Sequence, residues 1–302
     1  MRVSYSPGYN APIPDDHIFP MGKFEGLYRY VTESGLIKDY EIIEPCMVDM
    51  ANLLTVHTSE YSDGIMSGKL DKRALRRLGL PWSEGLALRS RLAVQGTLNA
   101  AMMALQDGLA GNLAGGTHHA MPDYGEGFCV FNDVAVAIKV LQQSMWAHRV
   151  LVIDCDVHQG NGTAAIFSEN PDVFTFSIHG AKNYPFQKPP STLDIGLPDN
   201  TGDKTYLQTL GDALDTIFQR FDPDLVFYLG GIDPLETDHF GRLSLTLKGL
   251  RERDRMVIET VIEHDKPLVL TLSGGYAPTL RETVEAHALM YSVAKEYESM
   301  YS

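Results

Sequence analysis

The feature that most constrains this chain is a series of short runs of apolar and β-branched residues, most of them separated by longer helix-like stretches. Within the clearest runs apolar and polar residues do not alternate, which is typical of strands buried on both faces of a parallel sheet. The predicted strands are residues 149–154, 173–178, 225–229 and 267–273, with two earlier ones at 2–5 and 41–44.

Helix-like stretches lie between and around these strands. The predicted helices are residues 86–110, 132–147, 203–221, 246–264 and 279–298. In the third of them apolar residues recur with a helical period, and Asp222-Pro223 predicts where it ends. Repeated strand–helix–strand units predict right-handed crossovers and a doubly wound sheet. We therefore expect an α/β fold with a central, mainly parallel sheet flanked by helices, in a single domain over residues 1–302.

Four long loops are predicted at residues 6–24, 60–85, 117–131 and 179–202. Loops of this length in a compact domain tend to be functional. In open α/β sheets, ligands bind beyond the carboxyl ends of the strands. We therefore expect the functional site at the carboxyl ends of the strands.

The composition limits the partners of this chain. Its 39 Asp and Glu residues against 25 Lys and Arg residues give a formal net charge of −14. That charge is opposite to the basic footprint of a nucleic-acid binder, and it gives no support for a membrane-surface protein. No apolar run approaches the ~20 residues that span a bilayer. We expect no nucleic-acid and no membrane partner, and the oligomeric state stays open.

The cysteines and the first residues predict the compartment. Three cysteines without a C-x-x-C pair argue against a disulfide scaffold and favour a reducing environment. Residues 1–5 carry one Arg and run into Ser-Pro-Gly, without the apolar segment of a signal peptide. We therefore expect a cytoplasmic location.

Metal-capable side chains follow two of the predicted strands. Asp154, Asp156 and His158 alternate along the chain and so project to one side of it, and Asp233 follows the strand at 225–229. Two carboxylates and one imidazole suit a divalent metal that keeps positions open for water and substrate, as in a catalytic site. Either of Asp154 and Asp156 alone would more simply cap a helix or pair with a basic residue, but the pattern as a whole favours the metal.

Two adjacent histidines, His118 and His119, lie in a glycine-flanked loop ahead of Gly125-Glu-Gly-Phe-Cys129. Imidazole titrates near neutrality, so it can take a proton from water and return it to a leaving group. A lone histidine is more often a satisfied core or surface group, but this pair favours a catalytic role. The far nitrogens of the two rings are expected to meet Asp154 and Asn161.

Tyr276 follows two glycines at the end of the last predicted strand. There its phenol is placed to donate a hydrogen bond to an oxyanion, although a packing tyrosine in a turn explains the motif equally well. Residues 160–165 match a loose G-x-G-x-x-A dinucleotide motif. That match is weak, because charged Asp and His side chains precede it where a pyrophosphate would bind.

Together these motifs resemble those of the histone deacetylase family. G-G-x-H-H-A, G-x-G-F-C, D-x-D-x-H-x-G-x-G, Asp233 followed by Asp238 and Gly241, and S-G-G-Y occur in the family's order, from His17 to the final helix. Gln159, Asn161 and the stretches at residues 17–23 and 54–58 most resemble class IV histone deacetylases and their bacterial homologues. It implies the arginase/deacetylase fold, with an active-site tube at the carboxyl edge of the sheet.

The resemblance also implies residue roles. The zinc ligands would be Asp156, His158 and Asp233, with Fe²⁺ as a possible replacement for zinc. His118 and His119 match the tandem catalytic histidines, with His119 as general base and acid. Asp154 matches the partner of His118, Asn161 stands at the partner position of His119, and Tyr276 matches the tyrosine that polarises the scissile carbonyl.

The walls of the tube and a second ion are implied in the same way. Gly127 and Phe128 match one wall, Tyr184 is expected to form part of the other, and Gly274 is assigned to substrate binding. A structural K⁺ would be ringed by backbone carbonyls of Asp154, Asp156, His158, Ser177 and Ile178.

Three positions depart from related patterns. Asn161 replaces the aspartate that most of the family pairs with the second histidine, and this neutral amide is expected to lower the pKa of His119. The loop at 80–84 lacks the family's substrate-gripping aspartate unless Glu84 replaces it, which makes small acyl-amines or longer acyl chains plausible substrates. Gly160 stands where arginase-like enzymes place a further carboxylate, so one metal is expected.

These observations predict a zinc-dependent amidohydrolase that removes acetyl or longer acyl groups from lysine side chains of proteins. One alternative is deacylation of acetylpolyamines or other small N-acyl amines at the same site. A more distant one is a non-catalytic acyl-lysine binder, and an NAD-dependent dehydrogenase comes last.

Overall fold

The sheet has eight strands, all parallel, in the order β2-β1-β3-β8-β7-β4-β5-β6. It is seen in a computed structural model, which describes residues 1–301. The strands are β1 Arg2–Ser4, β2 Ile42–Ile43, β3 Leu109–Asn112, β4 Val150–Asp154, β5 Val173–Gly180, β6 Leu193–Leu197, β7 Leu225–Leu229 and β8 Leu268–Thr271. All six predicted strands are present, within three residues of their predicted ends.

Ten α-helices lie within the described residues. They are α1 Lys23–Glu33, α2 Met50–Leu53, α3 Ser59–Ser67, α4 Lys72–Leu78, α5 Glu84–Asp107, α6 Asp133–Gln143, α7 Asn161–Phe167, α8 Asp203–Arg220, α9 Leu247–Glu263 and α10 Leu280–Tyr297. Short 3₁₀ helices occur at Pro7–Tyr9, Asp39–Glu41 and Glu298–Tyr301. None of the helices in residues 1–301 is long and apolar enough to cross a membrane.

Apolar clusters cover both faces of the central strands. Along β4, Leu151 and Ile153 belong to one buried cluster, whereas Val150 and Val152 belong to the other. Every residue of β4, β5, β7 and β8 is buried. Their continuous apolar sequence follows from this two-sided burial, as expected for a parallel sheet.

The predicted helix at 86–110 extended too far, and β3 was missed. The Ser83 hydroxyl accepts from the Leu86 N–H and begins α5, and Gly108 ends it with a φ of 81°. Gly relieves the strain of this left-handed conformation, so the chain leaves the helix and enters β3. The four residues Leu-Ala-Gly-Asn of β3 carry no β-branched side chain, which left the strand without a signal.

Three of the four predicted loops contain regular structure. Residues 60–85 hold most of α3 and all of α4, residues 179–202 hold β6, and α1 begins at Lys23 inside the loop predicted at 6–24. β6 is an edge strand of mixed exposure, so it lacks the apolar run that marks a central strand. Residues 117–131 do form a loop without helices or strands, apart from one isolated bridge.

Three neighbouring strands end at the same level of the sheet. β4 pairs with β7 so that Asp154 lies opposite Leu229, and β7 pairs with β8 so that Leu229 lies opposite Thr271. The loops that follow these strands therefore start side by side at one rim, where the polar motifs were predicted to meet.

Candidate active site

Two of these loops supply a cluster of metal-capable atoms. Asp156 and His158 follow β4, and Asp233 follows β7; their ligand atoms all lie within 4.8 Å of one another. The Nδ1 of His158 is 3.0 Å from Asp156 Oδ1 and 3.2 Å from Asp233 Oδ2. Both carboxylates are fully or almost fully buried. The structure thus brings together the three predicted metal ligands.

The donor set fits one divalent metal. A tetrahedral site with metal–ligand bonds of about 2.0–2.2 Å places its ligands roughly 3.3 Å apart, close to the separations around His158 Nδ1. The other oxygens of the two carboxylates are already engaged. Asp156 Oδ2 accepts from Ser273 Oγ and the Gly274 N–H, and Asp233 Oδ1 accepts from the Val157 N–H. The remaining oxygens, Asp156 Oδ1 and Asp233 Oδ2, face His158 Nδ1, and Asp156 Oδ1 also accepts from the His158 backbone N–H at 2.9 Å.

The electrostatics of the cluster favour positive charge at its centre. Burial alone would lower the pKa of His158, but hydrogen bonds with Asp156 and Asp233 outweigh it and raise the pKa to about 10. Burial and then repulsion from Asp156 raise the pKa of Asp233 to about 7. Two carboxylates in a dry site are unfavourable without compensating positive charge, which a metal ion would supply.

His118 is held beside the metal cluster by a carboxylate. Its Nδ1 lies 2.6 Å from Asp154 Oδ2, and its Nε2 is 3.8 Å from Asp156 Oδ1. Burial would lower the pKa of His118, but Asp154 and Asp156 outweigh it and raise the pKa to about 9. These two carboxylates therefore favour the protonated form of His118.

His119 has the opposite character. Its Nδ1 lies 2.6 Å from Asn161 Oδ1. Burial, followed by the positive charges of His118 and His158, lowers the pKa of His119 well below its ordinary value. The hydrogen bond with Asn161 raises the pKa but does not outweigh these causes. His119 is therefore neutral at pH 7 and able to accept a proton. The lowering expected from Asn161 relative to an aspartate at that position stays a prediction.

The loop that carries both histidines is held by Asp133, which the sequence did not single out. Asp133 begins α6, and its carboxylate accepts from the N–H groups of Gly116 and Thr117 at 3.0 and 2.7 Å. The two residues that follow Thr117 are the histidines. The signal available was an Asn-Asp pair at the start of a predicted helix, which is typical of a cap and does not reveal this longer-range contact.

Tyr276 is positioned through its backbone. Its N–H donates to Asp238 Oδ2 at 2.7 Å, and the other oxygen of Asp238 accepts from the N–H groups of Phe240 and Gly241 at 2.8 and 2.9 Å. Burial and then the charge of Asp233 raise the pKa of Tyr276 well above its ordinary value. The phenol therefore keeps its proton and remains a hydrogen-bond donor.

A cavity of about 400 Å³ joins these groups. The sequence-predicted residues that line it are His118, His119, Gly127, Phe128, Asp156, His158, Tyr184, Gly274 and Tyr276. Phe128 lies 5.8 Å from the Tyr276 ring, and Tyr184 lies 5.1 Å from the His119 ring, measured between ring centres. The two aromatic side chains thus border the cavity next to the candidate catalytic groups.

Glycine is required at two positions of this lining. A Cβ on Gly127 would lie 2.6 Å from His119 Cδ2, and one on Gly274 would lie 2.2 Å from Asp233 Oδ2. Gly127 and Phe128 both adopt positive φ, at 57° and 66°, which turns the chain sharply and presents the Phe128 ring to the cavity.

Four cationic side chains also line the cavity, and the sequence patterns did not point to them. Lys23 and Arg89 are buried, whereas Arg76 and Arg77 are exposed on α4. Lys23 Nζ donates to the Ser273 carbonyl at 3.1 Å, and burial lowers the pKa of Lys23 to about 8. All four stand on segments predicted as loops or as a plain helix, where single charges carry no signal of their own.

The other predicted residues do not line the cavity: Asp154, Asn161 and Asp233 lie behind it in contact with residues that do, and Ser177 and Ile178 lie on β5. Glu84 is exposed in the first turn of α5 and does not line the cavity, and its replacement of the missing substrate-gripping aspartate stays a prediction. Ser177 lies on β5 opposite Asp154, next to Ile178. Ser177 Oγ is hydrogen-bonded to His179 Nδ1 at 3.0 Å. Potassium binding by this segment stays a prediction.

Comparison with known proteins places the chain in a family. The Histone deacetylase domain matches residues 17–291, so the chain belongs to the histone deacetylase family. It is 44% identical to an uncharacterized protein of Picosynechococcus sp., over 97% of this chain and 98% of that protein. It is 32% identical to the acetoin utilization protein AcuC of Bacillus subtilis, over 83% of this chain and 71% of AcuC.

Further similarities agree with this assignment. Histone deacetylase 2 of Arabidopsis thaliana is 29% identical, over 91% of this chain and 74% of that protein. The crystal structure of an HDAC homologue complexed with SAHA superposes with a TM-score of 0.83 at 25% identity, over 99% of this chain and 84% of that one. The α/β fold predicted from the sequence is therefore the fold of histone deacetylase homologues. Membership of class IV stays a prediction.

Proposed function

We propose that this member of the histone deacetylase family is a zinc-dependent hydrolase of acyl-lysine side chains in proteins. One observation carries the proposal: Asp156 and His158, the neutral His119 and the protonated Tyr276 border a single cavity with aromatic walls, and Asp233 completes the three-ligand cluster with the first two. An acyl-lysine offers a slender chain for such walls and an amide carbonyl for the far end.

The chemistry divides among named residues. Asp156, His158 and Asp233 would hold Zn²⁺, which when bound polarises a carbonyl and lowers the pKa of water. His119 takes a proton from the attacking water as its oxygen bonds to the carbonyl carbon. Tyr276 donates a hydrogen bond to the resulting oxyanion. The C–N bond then breaks, and His119 returns the proton to the departing amine.

The charge of the lining favours acyl-lysine over acylpolyamines. Arg76, Arg77, Lys23 and Arg89 all border the cavity. An acetylpolyamine keeps further positive amines near its amide, whereas the acylated side chain of lysine is neutral. Cations around the cavity repel the first kind of substrate and not the second.

The test is hydrolysis by zinc-reconstituted protein across acetyl-lysine to long-chain acyl-lysine peptides, with acetylspermidine in parallel. We expect turnover of at least one acyl-lysine substrate, and we expect Asp233→Asn to abolish it. Asp212→Asn is the control, because it alters an exposed carboxylate on α8 and should retain turnover. Faster hydrolysis of acetylspermidine would favour the small-amine alternative. Binding of acyl-lysine without any turnover would instead identify a non-catalytic binder. Replacing zinc with Fe²⁺ in the same assay identifies the better metal.

The cytoplasmic location stays part of this proposal. Among the described residues, Cys46, Cys129 and Cys155 are all free thiols, and the latter two are buried. A reducing compartment is compatible with such an arrangement.

A further inference from the structure

The amide of Asn161 links His119 to a carboxylate. Asn161 is buried at the start of α7; its Oδ1 lies 2.6 Å from His119 Nδ1, and its Nδ2 lies 2.5 Å from Glu126 Oε1. An ionised carboxylate only accepts hydrogen bonds, so the Asn161 NH₂ group must face Glu126. The Asn161 oxygen then faces His119, which must carry its proton on Nδ1. The other ring nitrogen of His119 is left with a free lone pair.

Glu126 is placed for this contact by the loop that forms the cavity wall. It stands between Gly125 and Gly127, and its carbonyl accepts from the Cys129 N–H at 2.9 Å. The side chain is half-buried and forms no ion pair within residues 1–301. The pKa of Tyr184 is raised by burial and then by Glu126. The side-chain hydrogen bond of Glu126 is thus made with an uncharged donor, the Asn161 amide.

We propose that Glu126 is a positioning residue that fixes the orientation of the Asn161 amide and thereby the His119 tautomer that accepts a proton. This inference rests on the proposed function, in which His119 is the base. With the amide reversed, Asn161 Oδ1 would face Glu126 at about the same separation, and two acceptors would repel each other. His119 would then hold its proton on Nε2, where it cannot act as a base.

The proposal predicts that kcat depends on whether the side chains at positions 126 and 161 pair a donor with an acceptor, and not on the charge at either position alone. Glu126→Lys replaces the acceptor with a donor, which attracts Asn161 Oδ1 and reverses the amide. When Asn161→Asp is added to Glu126→Lys, the new carboxylate can accept from His119 with one oxygen and from Lys at position 126 with the other. In the original background Asn161→Asp instead places two carboxylates in contact. Glu126→Gln can donate or accept and should serve with either partner.

The experiment compares kcat and KM for these variants on an acetyl-lysine peptide, with equal metal loading. We expect Glu126→Lys and Asn161→Asp each to lower kcat about tenfold or more with KM little changed, in keeping with loss of general-base catalysis. The double variant Glu126→Lys with Asn161→Asp should recover to within about threefold of the original kcat, and Glu126→Gln should remain within the same range. Asp123→Lys is the matched control, because it makes the same charge change at an exposed position of the same loop.

A spectroscopic measurement keeps the inference independent of turnover. In ¹⁵N-histidine-labelled protein, with His119 assigned by its loss in His119→Ala, the proton should be on Nδ1 in the original chain and on Nε2 in Glu126→Lys. If the tautomer and kcat are both unchanged in Glu126→Lys, the inference is wrong. If no acyl-lysine is hydrolysed but the tautomer changes as described, the positioning role stands and the proposed function fails.

Discussion

At the residue scale, the pKa values of the two adjacent histidines are shifted in opposite directions although they share one loop. The Asp154 carboxylate accepts from His118, whereas the Asn161 amide, itself neutral, accepts from His119. Burial disfavours the charged form of both rings, and only His118 has carboxylates close enough to outweigh it. Environments that push two pKa values apart are how a site separates an electrostatic role from that of a base.

The hydroxyl of Tyr276 should matter for rate more than for binding. Tyr276→Phe keeps the ring that packs against Phe128 and Phe240 but removes the donor for the oxyanion. We expect kcat on an acyl-lysine peptide to fall by roughly 100-fold or more, with KM changed only slightly. Steady-state kinetics at equal metal content provide the measurement.

The control for Tyr276→Phe is Tyr291→Phe. This substitution also removes a buried hydroxyl, which donates to the Asn112 carbonyl at 2.6 Å away from the cavity. It should cost about 1–3 kcal/mol of stability and leave kcat unchanged. Unreduced turnover in Tyr276→Phe would remove the phenol from the mechanism.

At the scale of elements, Asp238 ties the loop after β7 to the loop after β8. Asp238→Asn replaces one carboxylate oxygen with an NH₂ group, which must then face at least one of the backbone N–H groups of Phe240, Gly241 or Tyr276. We expect kcat to fall because the Tyr276 backbone loses its anchor. In combination with Tyr276→Phe the loss should be less than additive, since both substitutions disable the same group. Fully additive effects in this double-mutant cycle would show that Asp238 acts independently of Tyr276.

Arg253 of α9 connects the loops after β4 and β7 through hydrogen bonds to a backbone carbonyl of each. The buried guanidinium donates from Nη1 to the Gly231 carbonyl at 2.5 Å and to the Cys155 carbonyl at 3.4 Å, and it pairs with Asp254. Arg253→Met should lower the free energy of unfolding by about 3–5 kcal/mol, because it leaves Asp254 buried without its partner. Denaturant unfolding measures the loss. Adding Asp254→Asn should recover part of it, and no recovery would mean that the carbonyl contacts dominate.

At the scale of the whole molecule, the metal cluster makes stability depend on pH and on bound cation. In metal-free protein the pKa of His158 is raised from 6.5 to about 10. A raised pKa means that the folded state binds more protons, so this stabilisation is complete below about pH 6.5 and is lost as pH rises toward 10. A metal that binds only the folded state stabilises it and competes with that proton.

The melting temperature should therefore fall on chelation and recover when Zn²⁺ is added. The difference between metal-loaded and metal-free protein should increase as pH rises from about 6.5 to 10. Calorimetry at several pH values, with Asp233→Asn as a variant that lacks one ligand, provides the measurement. A difference that shrinks with rising pH, or that persists in Asp233→Asn, would contradict a metal site at this cluster.

Much of the fold could be predicted because the central strands are buried on both faces and therefore read as apolar runs. β3 and β6 could not, since β3 contains no β-branched residue and β6 is an edge strand of mixed exposure. The candidate site residues were visible for a related reason: charged groups directly after a buried strand stand out against their neighbours. The supporting residues Asp133 and Arg253 do not, because their role depends on contacts with residues distant in sequence.

The sequence by itself determined which chemical groups this protein brings to one edge of its sheet, because parallel strands deliver whatever follows them to the same rim. Only the tertiary structure decided how those groups act. Ser273 reaches Asp156 across 117 residues, and Asn161 reaches Glu126 across 35. Burial and hydrogen bonds between such distant residues set which carboxylate oxygens face His158, which histidine favours its charged form and which ring nitrogen holds the proton, and no local pattern encodes them.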